Sequence, residues 1–284
     1  MVLAFVIIIW VVQIFLIKID FHCLIITINK MSPWTHILKC VEYKGEDNFV
    51  ITADQIKASG KSWAGPASQF EPRLLCYQTS SDARPEEFKT RGLYIFPIKN
   101  GTYILTKYNI YMPLVYEEKP AVLINRDLSS AMLNIGGSET SLIDNLRYSG
   151  VFERPEILGE KITHGPLLNG RHRISLEDMR FGVSSPAITI SGVQYETDSC
   201  FESAGKILII EGKSSAKPID SFNIRQLYFP YREALRISSG KKEICCLFIN
   251  ELGGLVRIWK YMFQDPKRLD SLTLVGYYIY KFSS

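Results

Sequence analysis

The sequence predicts an α/β fold of the α+β kind, a mixed central β-sheet with flanking helices preceded by a smaller α+β region. Three observations carry that expectation. Strand-like runs lie both before and after segments with helical spacing, the order that a mixed sheet with packed helices produces. The runs LYIFPIK and TYILTKY are joined by Asn100-Gly101 alone, and a two-residue Asn-Gly link between β-rich runs is a strong hairpin signal. Apolar residues make up 46% of the 284, enough for a sizeable buried core, so a disordered chain is excluded.

At the N-terminus, residues 1–17 (MVLAFVIIIWVVQIFLI) hold one polar side chain, Gln13, and reach the lower edge of the roughly 17–25 residues that span a bilayer. No basic stretch precedes this run and no small-residue cleavage site follows it, so a secretory leader fits poorly. Three readings of residues 1–30 stand: a mis-assigned start, with Met31 opening an ordinary soluble segment; a membrane anchor; and a buried helix. The first is preferred, and with it a cytoplasmic protein with no membrane partner.

From residue 31 to 119 the pattern is mixed, with a helix expected around ADQIKAS ahead of the hairpin. Arg73, Arg84, Lys89, Arg91, Lys99, Lys107 and Lys119 make this region basic enough to meet a phosphate backbone, although a solvated surface is the commoner fate of such charges. A domain boundary is expected near residue 120, within a polar connector that leads to a Gly136-Gly137 break. The segment SETSLIDNLRYSGVF then has helical spacing, with Ser138 placed to cap it and Glu139 in the first turn, where the helix dipole favours an anion.

Beyond that helix, HGPLLNGRHRISLEDMRFGV alternates like strands around Asn169-Gly170, followed by AITISGVQYETDS and KILIIEGKS. An aromatic, basic helix is expected over SFNIRQLYFPYREALRIS, and strands over CCLFIN, LVRIWKYMF and SLTLVGYYIYKF. Six cysteines without a CxxC pair, and four histidines without zinc-ligand spacing, point to a reducing compartment and no structural zinc. A net charge of +4 is too mild to demand a polyanionic partner unaided.

Gly60-Lys61, Gly205-Lys206 and Gly212-Lys213 lack the earlier glycine of a phosphate loop, since Gln55, Cys200 and Ile207 stand five residues before them. The informative constellation is Asp198, twelve residues, then Glu211-Gly212-Lys213 at the exit of the apolar run ILII. Alternation along a strand puts Glu211 and Lys213 on one face, with Asp198 ending the preceding strand. Two carboxylates and the Gly212 carbonyl make a hard oxygen set of the kind Mg²⁺ takes, and a lysine beside it can orient or help deprotonate a water and stabilise charge on a phosphate. The chemistry suggested is phosphodiester hydrolysis. The bland alternative is a surface ion pair at a solvated strand end, because the bare spacing is common by chance.

Read together, VQYETDSCFE, ILIIEGKSSAK and FNIRQLYFPYR resemble the PD-(D/E)xK nuclease superfamily, and within it type II restriction endonucleases, over most of the chain from Met31 onward. The resemblance implies a restriction-endonuclease-like core over residues 120–284, behind a recognition region over residues 31–119. It implies metal binding by Asp198 and Glu211, a catalytic role for Lys213, and an ordering role for Gln226, with Tyr231 completing that pattern. Glu139, or failing it Asp144, is nominated as the acid from the upstream helix, with helix capping as its alternative role. Thr197 stands where the family usually has proline, and Glu196 is placed to share or replace the role of Asp198. Arg225, Arg232 and Arg236 follow helical spacing and are expected to track a DNA backbone, a solvated helix face being the alternative. The expected activity is Mg²⁺-dependent cleavage of double-stranded DNA by a restriction enzyme, with a homodimer for symmetric sites and a companion DNA methyltransferase. A structure-directed repair nuclease and a non-catalytic DNA-binding module are the rival readings.

Overall fold

The computed structural model describes residues 32–125, 138–168 and 170–283. Among the described residues two compact units emerge: one from the residues up to 46 with 53–75, the other from 47–52 with those from 76 onward.

In the smaller unit, α1 (Pro33–Cys40) starts because Ser32 Oγ accepts the Thr35 amide at 3.2 Å and Pro33 supplies a pre-set φ at the first turn. The expected ADQIKAS helix is α2 (Ala53–Ser59), and a short α3 follows at Pro72–Leu75. Trp34, Ile37, Ile56 and Phe70 are buried in this unit. Gly60 leaves room for Phe70, whose ring would lie 3.0 Å from a Cβ there.

The larger unit contains the short helix α4 (Glu86–Arg91) and two larger sheets. The first takes in β1 (Phe49–Thr52), the expected hairpin β2 (Tyr94–Lys99) and β3 (Thr102–Thr106), and the long strands β7 (Gly170–Met179) and β8 (Ile188–Thr197), in the order β1-β3-β2-β8-β7. The second runs β5-β14-β13-β12-β10-β9-β6, from β5 (Val122–Ile124), β14 (Leu272–Phe282), β13 (Leu255–Phe263), β12 (Glu243–Leu252), β10 (Lys206–Ser214) and β9 (Ser199–Ser203) to β6 (Ile162–Leu167). A two-stranded ribbon pairs β4 (Tyr111–Pro113) with β11 (Ser221–Asn223). The sheets are mixed, as the sequence predicts.

The expected helices are α5 (Glu139–Tyr148), capped by Ser138 Oγ on the Ser141 amide at 3.1 Å, and α6 (Arg225–Ile237). Strand β10 runs parallel to β12, and α6 is the crossover between them. Both faces of β10 are covered, so its run of Ile and Leu is apolar throughout. Ile207 and Ile209 join a core with Leu227 and Phe229 of α6, whereas Leu208 and Ile210 join a second core with Leu142, Ile143 and Leu146 of α5. The first core also holds Phe96 and Tyr195 from the five-stranded sheet, so α6 is buried between two sheets, which explains its aromatic sequence.

Three expectations are revised. The compact units part at 46/47, 52/53 and 75/76, the hairpin pairing within the five-stranded sheet, and the connector expected near residue 120 lies in the larger unit. The runs either side of position 169 are both strands but do not pair with one another: β6 pairs with β9 and β7 with β8. Asn169 itself lies outside the described residues, as do Gly136-Gly137 and residues 1–30. The run AITISGVQYETDS divides, with β8 ending at Thr197 and β9 starting at Ser199 in the other sheet. Among the described residues no helix is long and apolar enough to cross a membrane.

Phe229 is fully buried, with ring centroids of Phe96 and Tyr195 at 5.7 and 6.3 Å. Phe229→Ala is expected to cost about 3–5 kcal/mol, read as a lower urea midpoint at unchanged slope; a loss under about 1 kcal/mol would contradict the sandwiched placement of α6.

Candidate active site

Asp198 stands where the chain passes from the five-stranded to the seven-stranded sheet, one residue beyond β8 and one before β9. Its Oδ2 accepts the Gly212 amide at 2.8 Å, which ties that crossing to the end of β10. Glu211 and Lys213 project from β10 toward α6, where the side-chain amide of Gln226 donates to Glu211 Oε1. Gly212 faces α5. A Cβ at Gly212 would lie 3.2 Å from Ile143 Cδ1 and 3.8 Å from Glu139 Cβ, so the missing side chain lets α5 approach and brings Glu139 within reach.

Three of these elements, β10, α5 and the crossing at Asp198, meet at one atom, and α6 joins them through Glu211. Lys213 Nζ lies 2.8 Å from Glu211 Oε1, 3.3 Å from Glu139 Oε1 and 3.8 Å from Asp198 Oδ2, and donates to the Gly212 carbonyl at 2.7 Å. Of the residues expected from sequence, Asp198, Glu211, Lys213, Gln226 and Glu139 are thus brought together. Glu211 is 5% exposed, and burial pushes its carboxyl up to about 8, the Asp198 and Glu139 carboxylates adding to the rise and Lys213 opposing it. Burial alone would lower the lysine, but the facing carboxylates outweigh it and hold Lys213 charged.

This donor set suits a hard divalent cation. Carboxylate and carbonyl oxygens from three elements already surround one positive group, and three carboxylates face a single ammonium. The oxygens are gathered on Nζ: among the described residues no three His, Cys, Asp or Glu side chains converge by themselves on a metal-sized point. In the structure the charge these oxygens neutralise is the Lys213 ammonium itself.

The cluster opens into a cleft of about 380 Å³, whose lining also includes Tyr77, Gln194, Glu196, Arg225 and Phe229. A second hollow of about 280 Å³, with Thr79, Ser80 and Asp220 in its wall, shares Lys213 and Gln226. Tyr77 and Gln194 were not singled out from sequence. Tyr77 is preceded and followed by buried residues, an alternation that the sequence shows only once burial is known.

The three arginines of α6 do not form one row of free charge. Arg225 faces the cleft, with its guanidinium carbon 5.5 Å from the Tyr77 ring centroid, and burial lowers its pKa. Arg232 is spent on structure, donating to Tyr228 Oη at 2.9 Å, the Pro266 carbonyl at 2.8 Å and Asp178 Oδ1 at 3.0 Å. Arg236 is exposed and forked onto Glu233 at 2.9 and 2.6 Å. Tyr231 packs on Phe263 in the core, and Glu196 pairs with Arg171 at 2.7 Å on the exposed face of β8. Asp144 is half-buried on α5, burial raising its pKa, and does not line the cleft.

Two stability outcomes follow. Arg232→Leu is expected to destabilise by about 1–3 kcal/mol, since it removes one of two donors from the Pro266 carbonyl, which keeps Tyr228 Oη, and one of two cations from Asp178, which keeps Lys267, while Arg236→Ala changes stability by under about 0.5 kcal/mol; equal effects in urea unfolding would refute the assignment. The raised carboxyl of Glu211 favours folding below its unfolded value and loses that advantage as pH climbs toward about 8. In EDTA, Glu211→Gln should therefore gain stability over wild type between pH 5 and 8, by on the order of 2 kcal/mol; parallel pH curves would exclude a penalty for the buried carboxylate.

Residues 105–281 match the family model described as domain of unknown function DUF6997, and residues 32–105 match that described as domain of unknown function DUF6996. The change from one to the other falls within β3, inside the larger unit. No curated protein and no solved structure matches the chain. The first model covers more than half of the sequence, and the chain belongs to the DUF6997 family.

Proposed function

We propose that this protein is a Mg²⁺-dependent endonuclease of the PD-(D/E)xK superfamily that hydrolyses phosphodiester bonds in double-stranded DNA, in the manner of a type II restriction enzyme. The observation that carries the reading is the convergence of Asp198, Glu211, the Gly212 carbonyl and Glu139 on one cationic point at the mouth of a cleft. The order of elements supports it: the helix α5 with its acid, the β9–β10 pair with Asp198 and Glu-x-Lys, and the crossover helix α6 with Gln226 before the parallel strand β12.

Asp198 and Glu211, with the Gly212 carbonyl, would hold the metal, which when bound supplies an acidified water and neutralises charge on the phosphate. The chain's own groups set the rest. Gln226 fixes the rotamer of Glu211 through its amide, and the Gly212 amide fixes Asp198. Lys213, kept charged by its carboxylates, donates from Nζ to the attacking water or to a non-bridging phosphate oxygen and stabilises the charge that grows there. Glu139 completes the neutralisation of that ammonium from α5. Arg225 offers a second positive group to the backbone of the substrate. A target with two-fold symmetry would call for a homodimer, and protection of host DNA for a companion methyltransferase.

The full chain, incubated with plasmid and phage DNA in Mg²⁺, is expected to give discrete fragments that vanish in EDTA. Asp198→Ala, Glu211→Ala and Lys213→Ala should each lower the rate by at least about 100-fold while retaining the fold. Smeared products would favour the repair nuclease. Salt-sensitive binding without cleavage in any metal would leave the non-catalytic DNA-binding module.

A further inference from the structure

The cleft contains a pair of side chains that the hydrolytic cluster does not use. Tyr77 is 57% exposed, although Cys76 before it and Gln78 after it are buried. Both neighbours are held: the Cys76 side chain is packed in the interior, and the Gln78 carbonyl accepts Tyr111 Oη at 3.1 Å. The Thr79 carbonyl also accepts the Asn223 amide at 3.2 Å, two residues before α6. The backbone is thereby held on both sides of an aromatic ring that is turned outward into the cleft.

Beside that ring is Arg225, for which no carboxylate partner is found among the described residues, whereas Arg171, Arg232 and Arg236 are each paired with an acid. An exposed, rigidly presented aromatic face next to an unpaired guanidinium is the combination that receives a nucleotide, the base stacking on the ring and the phosphate taking the cation. The wall is shared with Glu211 and Lys213, so a nucleotide on Tyr77 would be a near neighbour of the bond to be cut.

We propose that Tyr77 and Arg225 form a nucleotide subsite in which one base leaves the duplex stack, lies on the Tyr77 ring and presents its phosphate to Arg225. This deepens the nuclease reading and rests on it for the identity of the polymer. A base drawn out of a duplex costs a few kcal/mol in unstacking and unpairing, so the subsite would favour DNA that is already unpaired or easily distorted at that position.

The probe is a 5′-phosphorylated dinucleotide of 2-aminopurine and thymidine, titrated with the full chain in EDTA and followed by 2-aminopurine fluorescence. Wild type and Tyr77→Phe are expected to quench it saturably, whereas Tyr77→Leu should bind about 5- to 100-fold more weakly and without quenching. Arg225→Gln should weaken binding and flatten its salt dependence. Dinucleotide binding that is equal in wild type and Tyr77→Leu, or absent from wild type, overturns the subsite. So does displacement of the probe by inorganic phosphate at equal concentration, which would mark an anion site without a base platform. Plasmid cleavage in Mg²⁺, run beside the titration, separates the two readings. Cleavage without quenching overturns the subsite alone, and quenching without cleavage supports the subsite while overturning the nuclease reading.

Discussion

A carboxylate buried as deeply as that of Glu211 is costly unless a counter-charge and hydrogen bonds reach it in place of water. Lys213 supplies the charge two residues along the same strand, and Gln226 supplies a donor from the helix above. Because Glu211 and Lys213 share the face of β10 that looks at α6, they can meet only at the end of the strand, where the apolar run of Ile207 and Ile209 gives out. The position of the charged cluster is thus dictated by where the core ends.

The surrounding architecture reads as a means of holding those groups in place. Parallel pairing of β10 and β12 requires a crossover, and α6 provides it, which brings Gln226 and Arg225 over the strand exit. On the opposite face, α5 needs a residue without a side chain to come close, and Gly212 is that residue. The third approach is made by the chain as it leaves one sheet for the other at Asp198, pinned by the Gly212 amide. One glycine therefore serves three contacts: its amide orients Asp198, its carbonyl receives Lys213, and its bare Cα admits the helix carrying Glu139.

Much of this was legible because it is local. The period-2 runs of β10, β12, β13 and β14, the capped helix at Glu139 and the Asn100-Gly101 hairpin all declare themselves within about a dozen residues, and the Glu211, Lys213 and Asp198 cluster follows from strand alternation. Pairing between distant segments does not declare itself. The strands either side of position 169 look like a hairpin by pattern, yet each finds its partner in a different sheet, a choice made by long-range burial. The arginines of α6 illustrate a second limit. Seven and eleven residues do return to nearly the same side of a helix, but at 1.5 Å per residue they stand about 10 and 16 Å further along it. Over that distance the surroundings change from the open cleft to the Pro266 and Asp178 anchor and then to solvent. Shared azimuth is readable from spacing; shared environment is not.

Charge balance in the cleft links the two halves of the proposed chemistry. Three acids, Asp198, Glu139 and the buried Glu211 that burial drives toward its protonated form, stand against Lys213 and the more distant Arg225. On the proposed reading, a phosphate in the cleft would sit against Asp198 and Glu139, whose charge the mild overall +4 is too diffuse to offset at short range. A divalent cation held by Asp198 and Glu211 would add positive charge locally and would replace the proton that burial otherwise drives onto Glu211. On the proposed reading, cation and substrate therefore favour each other's binding by the same coupling energy, since each relieves a charge the other leaves uncompensated. An acidic cleft in a mildly basic protein is then consistent with DNA as the substrate, because the carboxylates that would repel a bare phosphate are those that hold the ion that attracts it.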